Sequence, residues 1–282
     1  MTKVITTKAE QANAKPNTKS NTGSAHSQLI TLAQGFVLDA KLLPGNQQMP
    51  IEDRHHKRER VLALRKQQNL EVIVEKALNY CDQENTSHKP DQDWFAHFSS
   101  LAENVSNSTM QGLWAKILAS ELNKPGSFSL KTLRTFRLLS IQDAKLFAKA
   151  CALAVRDNQK KNWRIITGCY QQANLINFIT GNRQQCLDLS QFGLSYTDIL
   201  TLADNHLLFE QETESGCFAK GQQSHFIYNG QSLTLTTKKN NSILSFYKFT
   251  PTGTELAQLI NDNPDSDFIS YLKKQLNSHF NC

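Results

Sequence analysis

Apolar residues recur at steps of three and four positions through the middle of the chain. This spacing places them on one face of a helix, and it predicts two consecutive helices that meet at Pro125-Gly126. Proline stops the first helix and glycine lets the backbone reverse, so a helical hairpin is predicted over residues 108–140. Its apolar positions are Met110, Leu113, Trp114, Ile117, Leu118, Leu122, Leu130, Leu133, Phe136 and Leu139.

Helical spacing also extends upstream of this hairpin. A first helix is predicted over residues 27–42, and its apolar side favours a position facing the core over one on a membrane surface. Residues 50–80 predict one long helix, since Pro50 suits a first turn and neither glycine nor proline follows it there. The first half of this long helix is basic and its second half is apolar.

The pattern changes after the polar stretch at residues 156–162. One helix is predicted over residues 163–179 and another after Ser195, which can cap it. Strict alternation then predicts a β-hairpin around Asn229-Gly230 and a third strand in "SILSFYKFT", before a helix that begins at Pro251.

The predicted fold class is mainly α, with a multi-helix domain followed by a small winged-helix-like α/β domain that contains a β-hairpin. The expected organisation has four parts: a disordered basic tail at 1–27, a helical domain at 28–160 that includes the long basic helix 50–80 and the hairpin 108–140, a winged-helix-like domain at 161–262, and a short C-terminal helix and tail at 263–282.

Composition narrows the class of protein. The chain has 282 residues, of which 39% are hydrophobic and 20% charged, values ordinary for a globular protein. Its net charge of +6 is compatible with nucleic acid or another anionic surface without requiring either. The first 27 residues carry almost no large apolar side chains, which is why they are predicted to be disordered.

The six cysteines are scattered and form no C-x-x-C pair, which indicates reduced thiols. The N-terminus has no secretory h-region, and no apolar run approaches the length of a membrane-spanning helix. We therefore predict a cytoplasmic protein.

The densest cationic stretch is "RHHKRER", residues 54–60. Such a helix face suits a phosphate backbone, but a solvated face partly paired with neighbouring acidic residues is the favoured interpretation. Two lysines beside the predicted hairpin add to the charge. The candidate anion or nucleic-acid contacts are Arg54, Lys57, Arg58, Arg60, Arg65, Lys66, Lys238 and Lys239.

The "PGSFS" turn after Leu122 poses a separate question, because backbone N–H groups at the start of a helix can bind phosphate. The Walker pattern is absent, and Ser127 and Ser129 are explained as helix caps. We interpret this turn as a structural bend.

The sequence contains neither the G-x-S-x-G motif of hydrolases nor the H-E-x-x-H motif of zinc proteases. Asp91 and Asp93 lie near two histidines, but capping of a helix that begins at Trp94 explains both carboxylates more simply. We assign no catalytic, cofactor-binding or metal-ligating residues, and expect no cofactor and no metal.

The block from Asp93 to Phe147 resembles a bacterial family of domains of unknown function. The resemblance rests on D-W, on M-Q-x-L-W-A-K-I-L-A-x-E, on P-G-S-F-S-x-x-T-L and on L-S-x-x-D-A-x-L-F. It is more distantly similar to abortive-infection proteins, which defend bacteria against phage. The resemblance implies a packed helical hairpin and no particular reaction.

The preferred function is a non-enzymatic interaction or regulatory protein whose partner is another protein or a second copy of the chain. The resemblance suggests stress response or phage defence as its setting. The alternative is a nucleic-acid-associated winged-helix protein that uses the basic helix. An enzyme whose site is assembled from distant residues has the least support.

Overall fold

The computed structural model describes residues 24–81, 91–157, 162–172 and 185–282. Most of the predicted disordered tail, residues 1–23, therefore lies outside the described residues. The chain divides into two compact units, which we call unit 1 (residues 1–64) and unit 2 (residues 65–282).

The first helix of unit 1 is shorter and more exposed than expected. It ends at Gly35, well before residue 42, because Val37 adopts a left-handed φ of 58° that a helix cannot continue through. No residue of this helix is buried, so the prediction that it faces the core is wrong. The elements that begin in unit 1 are α1 (Ala25–Gly35), two 3₁₀ turns (Ala40–Leu42 and Gly45–Gln47) and α2 (Ile51–Leu78).

The long helix predicted over residues 50–80 is confirmed by the 28 residues of α2. Glu52 and Asp53 lie in its first turn, where the helix dipole favours acidic side chains. Its part in unit 2 buries Ile73 and Ala77, whereas the predicted apolar positions Val74 and Leu78 are exposed.

Four shorter helices follow, and each begins after a residue whose side chain caps it. Asp91 accepts hydrogen bonds from two N–H groups of the first, and Ser140 with Asp143 forms a capping box at the last. Ser129 caps the helix after the Pro-Gly turn as predicted. The prediction of Ser127 as a helix cap is wrong, because its hydroxyl donates to the carbonyl of Lys124 instead. The four helices are α3 (Gln92–Ala102), α4 (Ser108–Asn123), α5 (Leu130–Leu138) and α6 (Ile141–Ala152).

A chain of aromatic rings packs these helices together. Trp94 stacks on Phe98 with centroids 5.3 Å apart, and Phe98 meets the edge of Trp114 at 5.3 Å. Trp114 then contacts Phe136 of α5 at 5.1 Å, which confirms the predicted hairpin packing. Trp114 is buried, as expected for an apolar position of the hairpin, and Trp94 and Trp163 are buried as well.

One antiparallel eight-stranded sheet follows in sequence, in the order β4-β7-β2-β1-β5-β6-β8, with β3 paired to β2. The described residues are thus mainly α-helical with a single antiparallel sheet. The strands are β1 (Val155–Asp157), β2 (Trp163–Gln171), β3 (Gln185–Cys186), β4 (Thr213–Glu214), β5 (Gln223–Tyr228), β6 (Gln231–Thr237), β7 (Ser242–Lys248) and β8 (Phe280–Asn281). The remaining helices are α7 (Tyr196–Asp204), α8 (Pro251–Ala257) and α9 (Ser266–Leu276).

The predicted hairpin is confirmed as β5 and β6. Asn229 and Gly230 have φ values of 42° and 82°, the left-handed pair that a tight hairpin turn requires. The side chain of Asn229 is buried and donates to the carbonyl of Ala152 at the end of α6, at 2.7 Å. The turn of this hairpin is therefore packed against a helix.

The helix predicted over residues 163–179 is wrong for residues 163–171, which form β2, and residues 173–179 lie outside the described residues. A β-bulge between Ile166 and Gly168 shifts the register of β2 against β7. The bulge breaks the period of two, so the buried residues are Trp163, Ile165, Ile166, Gly168 and Cys169. Those that carry side chains, all except Gly168, have a spacing that resembles a helix.

A continuous apolar core joins the helices and the sheet of unit 2. Its buried members run from Ile73 in α2 to Phe280 in β8. At the junction, Phe249 lies 5.8 Å from Phe147 of α6 and 5.9 Å from Trp163 of β2, measured between ring centroids. The boundary predicted near residue 160 thus falls within one core cluster, and the four-part organisation stays a prediction.

The first turn of α8 packs closely against the segment that follows α7. A Cβ atom at Gly253 would be 2.0 Å from the carbonyl oxygen of Leu207 in that segment. We expect Gly253→Ala to lower the free energy of unfolding by about 3 kcal/mol, because backbone atoms must move apart. At Gly112 in α4 a Cβ meets nothing within 4 Å, so Gly112→Ala should raise it by about 0.5–1 kcal/mol. Urea unfolding followed by circular dichroism measures both, and equal stabilities would contradict this packing.

Candidate functional site

The turn after α4 already contains its own anion. The buried carboxylate of Glu121 accepts hydrogen bonds from the N–H groups of Gly126, at 2.7 Å, and Phe128, at 3.0 Å. Gly126 has a φ of 81°, which glycine adopts without strain. These are the groups that would otherwise have been available to a phosphate.

Other groups of the turn are also hydrogen-bonded within the chain. The indole N–H of Trp94 donates to the carbonyl of Phe128 at 2.8 Å, and Phe128 itself is buried. The N–H of Ser129 donates to the Glu255 carboxylate of α8 at 2.7 Å. The prediction of a structural bend is confirmed, because carboxylates of the chain itself occupy these N–H groups.

The predicted basic residues differ in how they are engaged. Lys57, Arg58 and Arg60 are exposed on α2 in unit 1, whereas Arg54, Arg65 and Lys66 are half-buried. Of the acidic residues predicted to pair with this face, Glu59 lies 3.3 Å from His55. The exposed cations of α2 are therefore those three side chains, each within one turn of the next.

Several of the other candidate cations have structural partners within unit 2. The Lys66 ammonium lies 2.6 Å from the Glu103 carboxylate. Lys238 donates to both the carbonyl and the side-chain oxygen of Asn277 at the end of α9, each at 2.6 Å. Lys239 is exposed. Lys66 and Lys238 thus hold elements of unit 2 together.

Exposed apolar residues are concentrated in unit 1. Five of them leave more than 60% of their surface accessible, a degree of exposure that is uncommon for so many large apolar residues close together in sequence. They are Leu29 (65%), Leu32 (61%), Leu38 (61%), Leu42 (61%) and Ile51 (69%).

A cavity of about 390 Å³ opens beside the sheet of unit 2. One wall is apolar and is built from the loop before α7 and from α7 itself. The other lining residues include polar groups from β2, from β7, from the segment before β4 and from the first residue of α7. The apolar wall consists of Leu187, Leu189, Leu194 and Ile199, and the polar side includes Thr167, Tyr196, Glu212, Ser245 and Tyr247.

The polar groups of this cavity act on one another. The hydroxyl of Thr167 donates to the Glu212 carboxylate. Burial raises the pKa of Tyr247, and the neighbouring Glu212 carboxylate and Tyr196 raise it further. At the rim, side-chain donation from Ser190 and from a neighbouring glutamine lowers the pKa of Asp188. Asp188 is thereby engaged within its own loop.

Sequence reasoning did not find this cavity, because its polar residues lie far apart in the chain and form no motif. Thr167 and Tyr247 are brought together by the pairing of β2 with β7. The bulge in β2, which obscured the strand in the sequence, lies at the same place.

All six cysteines belong to the described residues, and none forms a disulfide, as predicted. Burial raises the pKa of the Cys151 thiol and raises that of Cys169 to about 11. Both thiols therefore stay protonated at neutral pH.

Within the described ranges, no group of three or more His, Cys, Asp or Glu side chains is arranged to hold a metal ion. Among the described residues, every helix is too short or too polar to span a membrane.

We expect Glu121→Gln to lower the free energy of unfolding by about 2 kcal/mol, because an amide cannot accept both hydrogen bonds of the turn equally well. Glu75→Gln, at an exposed position of α2, serves as the control and should change stability by less than about 0.5 kcal/mol. Thermal and urea unfolding of the full chain measure both variants. Equal stabilities would show that the turn does not depend on this carboxylate.

Comparison with known proteins gives one match. No match to the chain was found among curated proteins or among solved structures. A family model described as "Protein of unknown function (DUF2806)" matches residues 53–273. This range covers most of the chain and includes α2, the helical hairpin, the cavity and the sheet up to α9, and the protein therefore belongs to the DUF2806 family of proteins of unknown function.

Proposed function

We propose that this protein is a non-enzymatic interaction protein and that unit 1 docks onto a partner protein with an acidic surface. The observation that supports this proposal is the exposure of large apolar side chains in the same unit as exposed cations. Leu29 and Leu32 of α1 leave more than 60% of their surface accessible, while Lys57, Arg58 and Arg60 are exposed on α2.

The apolar residues of α1 share one face. Leu29, Leu32 and Ala33 follow the three- and four-residue spacing of a helix, and the opposite face is polar. An amphipathic helix without buried residues is stable when its apolar face packs against something else, because packing supplies most helical stability. A protein groove that receives such a face is a common mode of recognition.

The charges indicate the character of the partner. Residues 54–60 carry four cations, three of them exposed, against one acidic side chain, Glu59. This net positive stretch attracts an acidic surface, and complementary charge raises the association rate and excludes basic partners. A second copy of the chain would bring the same cations to the same interface, which favours a different protein over self-association.

A protein partner fits these features better than a membrane or a nucleic acid. Helices that lie on membranes carry lysine and arginine on their polar face, whereas the polar face of α1 has Ser27, Gln28, Thr31 and Gln34. Exposed leucines contribute nothing to contacts with a phosphate backbone. Nucleic acid therefore remains the second candidate, supported by the three cations alone.

The winged-helix-like character of residues 161–262 also remains a proposal. It is supported by the order of α7, the β5–β6 hairpin, β7 and α8. For nucleic-acid binding through such a domain, the buried hairpin turn at Asn229 and the engaged Lys238 are unfavourable. A cytoplasmic location and a role in stress or phage defence rest on the sequence and stay predictions.

The leucine variant Leu29→Ser, Leu32→Ser, Leu38→Ser tests the apolar half of the proposal. We expect the tagged full chain to capture an acidic partner from native lysate, and the purified partner to bind the leucine variant on the order of 100-fold more weakly. This loss follows from removing several buried apolar anchors of an interface. Titration by biolayer interferometry gives the affinities, and melting temperatures confirm that the variant is folded.

The charge variant Lys57→Glu, Arg58→Glu, Arg60→Glu tests the electrostatic half. We expect at least tenfold slower association with the same partner, and a smaller difference at high salt. A matched control on α5, Leu138→Ser with Arg134→Glu, changes an exposed leucine and an exposed arginine elsewhere and should bind normally.

The other outcomes contradict the proposal in distinguishable ways. Co-purifying nucleic acid that the charge variant loses and the leucine variant keeps would establish the nucleic-acid alternative. Binding to vesicles containing anionic lipid, lost in the leucine variant, would indicate a membrane surface. A dimer by light scattering that the leucine variant dissociates would indicate self-association.

A further inference from the structure

We propose that the cavity beside β2, β7 and α7 in unit 2 is a binding site for an organic cation, an alkylguanidinium or alkylammonium group with an apolar stem. The site is separate from the docking surface of unit 1, so the two proposals can fail independently.

The size and the apolar wall of the cavity suit such a stem. A volume of about 390 Å³ is within the range of small-ligand pockets and is large enough for a chain of several methylene groups with a planar head. Leu187, Leu189, Leu194 and Ile199 form a wall against which methylene groups lose their contact with water.

The charged side chains among the lining residues determine the sign of the charge that a ligand should carry. Among its described lining residues there are two acidic side chains and no lysine, arginine or histidine. Asp188 is engaged by Ser190 and Gln191 of its own loop. Glu212 accepts one hydrogen bond from Thr167, and a carboxylate has about four acceptor positions. Its remaining acceptor positions suit a guanidinium or ammonium donor.

Two tyrosines complete the polar side. Tyr196 and Tyr247 line the same cavity as Glu212 and lie close enough to influence each other electrostatically. The faces of aromatic rings attract cations, and a ring beside a carboxylate strengthens the preference for a positive group. The hydroxyl oxygen of Tyr247 can accept a hydrogen bond from the cationic head of such a ligand.

An anionic ligand would meet the Glu212 carboxylate without any basic side chain in the lining to offset its charge. A purely apolar ligand would gain nothing from Glu212, which is exposed and accepts from Thr167. A ligand with both a cationic head and an apolar stem satisfies the two sides of the cavity together.

Titration of the full-length protein with three probes of equal stem length tests the assignment. n-Butylguanidinium should bind, with chemical-shift changes confined to residues around the cavity, whereas n-butanol and pentanoate should bind at least tenfold more weakly. Binding of n-butanol as tight as that of n-butylguanidinium would overturn the proposal, because the carboxylate would then play no part.

Variants identify the groups responsible. Glu212→Gln keeps the size and removes the charge, and we expect it to weaken n-butylguanidinium binding by about tenfold or more. Glu210→Gln changes an exposed carboxylate that does not line the cavity and should leave binding unchanged. Tyr247→Phe keeps the ring and should stay within about twofold, whereas Tyr247→Leu should weaken binding by roughly threefold or more. Unchanged binding in Glu212→Gln would overturn the proposal.

A further arm distinguishes the source of the cation. N-acetyl-arginine amide presents the same head and stem attached to a peptide backbone. Binding at least as tight as that of n-butylguanidinium would assign the cavity to an arginine side chain of a partner. Binding more than tenfold weaker would assign it to a free small molecule, because the backbone would not fit at the entrance.

Discussion

The carboxylate of Glu121 stabilises the turn that joins α4 to α5 in the helical part of unit 2. It accepts from the N–H groups of Gly126 and Phe128 and so fixes the direction in which α5 leaves α4. That direction brings Phe136 against Trp114. A buried carboxylate is costly unless hydrogen bonds surround it, and the turn provides them. The contact of Ser129 with Glu255 extends the same arrangement to α8, next to the sheet. The N–H groups of this turn therefore stabilise the packing of α4, α5 and α8 and are not available to a phosphate.

The local signals in the sequence were reliable wherever one or two residues determine the backbone. Ser129 caps the helix it was expected to cap, and Asn229-Gly230 forms the expected hairpin turn. The sequence patterns did not predict the structure where hydrogen-bond pairing between distant segments determines it, as in the sheet. The bulge in β2 gave its buried residues a helical spacing. Strands of two or three residues, such as β1, β4 and β8, have no period to detect. The size of the sheet could not be predicted for this reason.

For the candidate sites too, the sequence shows which residues are present but not how distant segments contact them. The sequence identifies the basic residues of α2, but it does not reveal that Lys66 is paired with Glu103 whereas Lys57 is exposed. The exposure of α1 was also hidden, because an apolar helical face has the same sequence pattern whether it packs inside the chain or against a partner. The cavity has no sequence signature at all. Its tyrosines and Glu212 meet through strand pairing and through the loop before β4.

The two proposed sites differ from other candidate positions of the chain in being open to solvent. At the other positions, polar groups already have partners within the chain. The N–H groups of the Pro-Gly turn and the ammonium groups of Lys66 and Lys238 are engaged by neighbouring acceptors. A ligand at these positions would have to displace a hydrogen bond that stabilises the fold. The exposed leucines of unit 1 and the carboxylate of Glu212 in its cavity differ, because solvent is what a ligand would replace there. Binding at such positions gains free energy without unfolding anything, so partners and ligands are expected there.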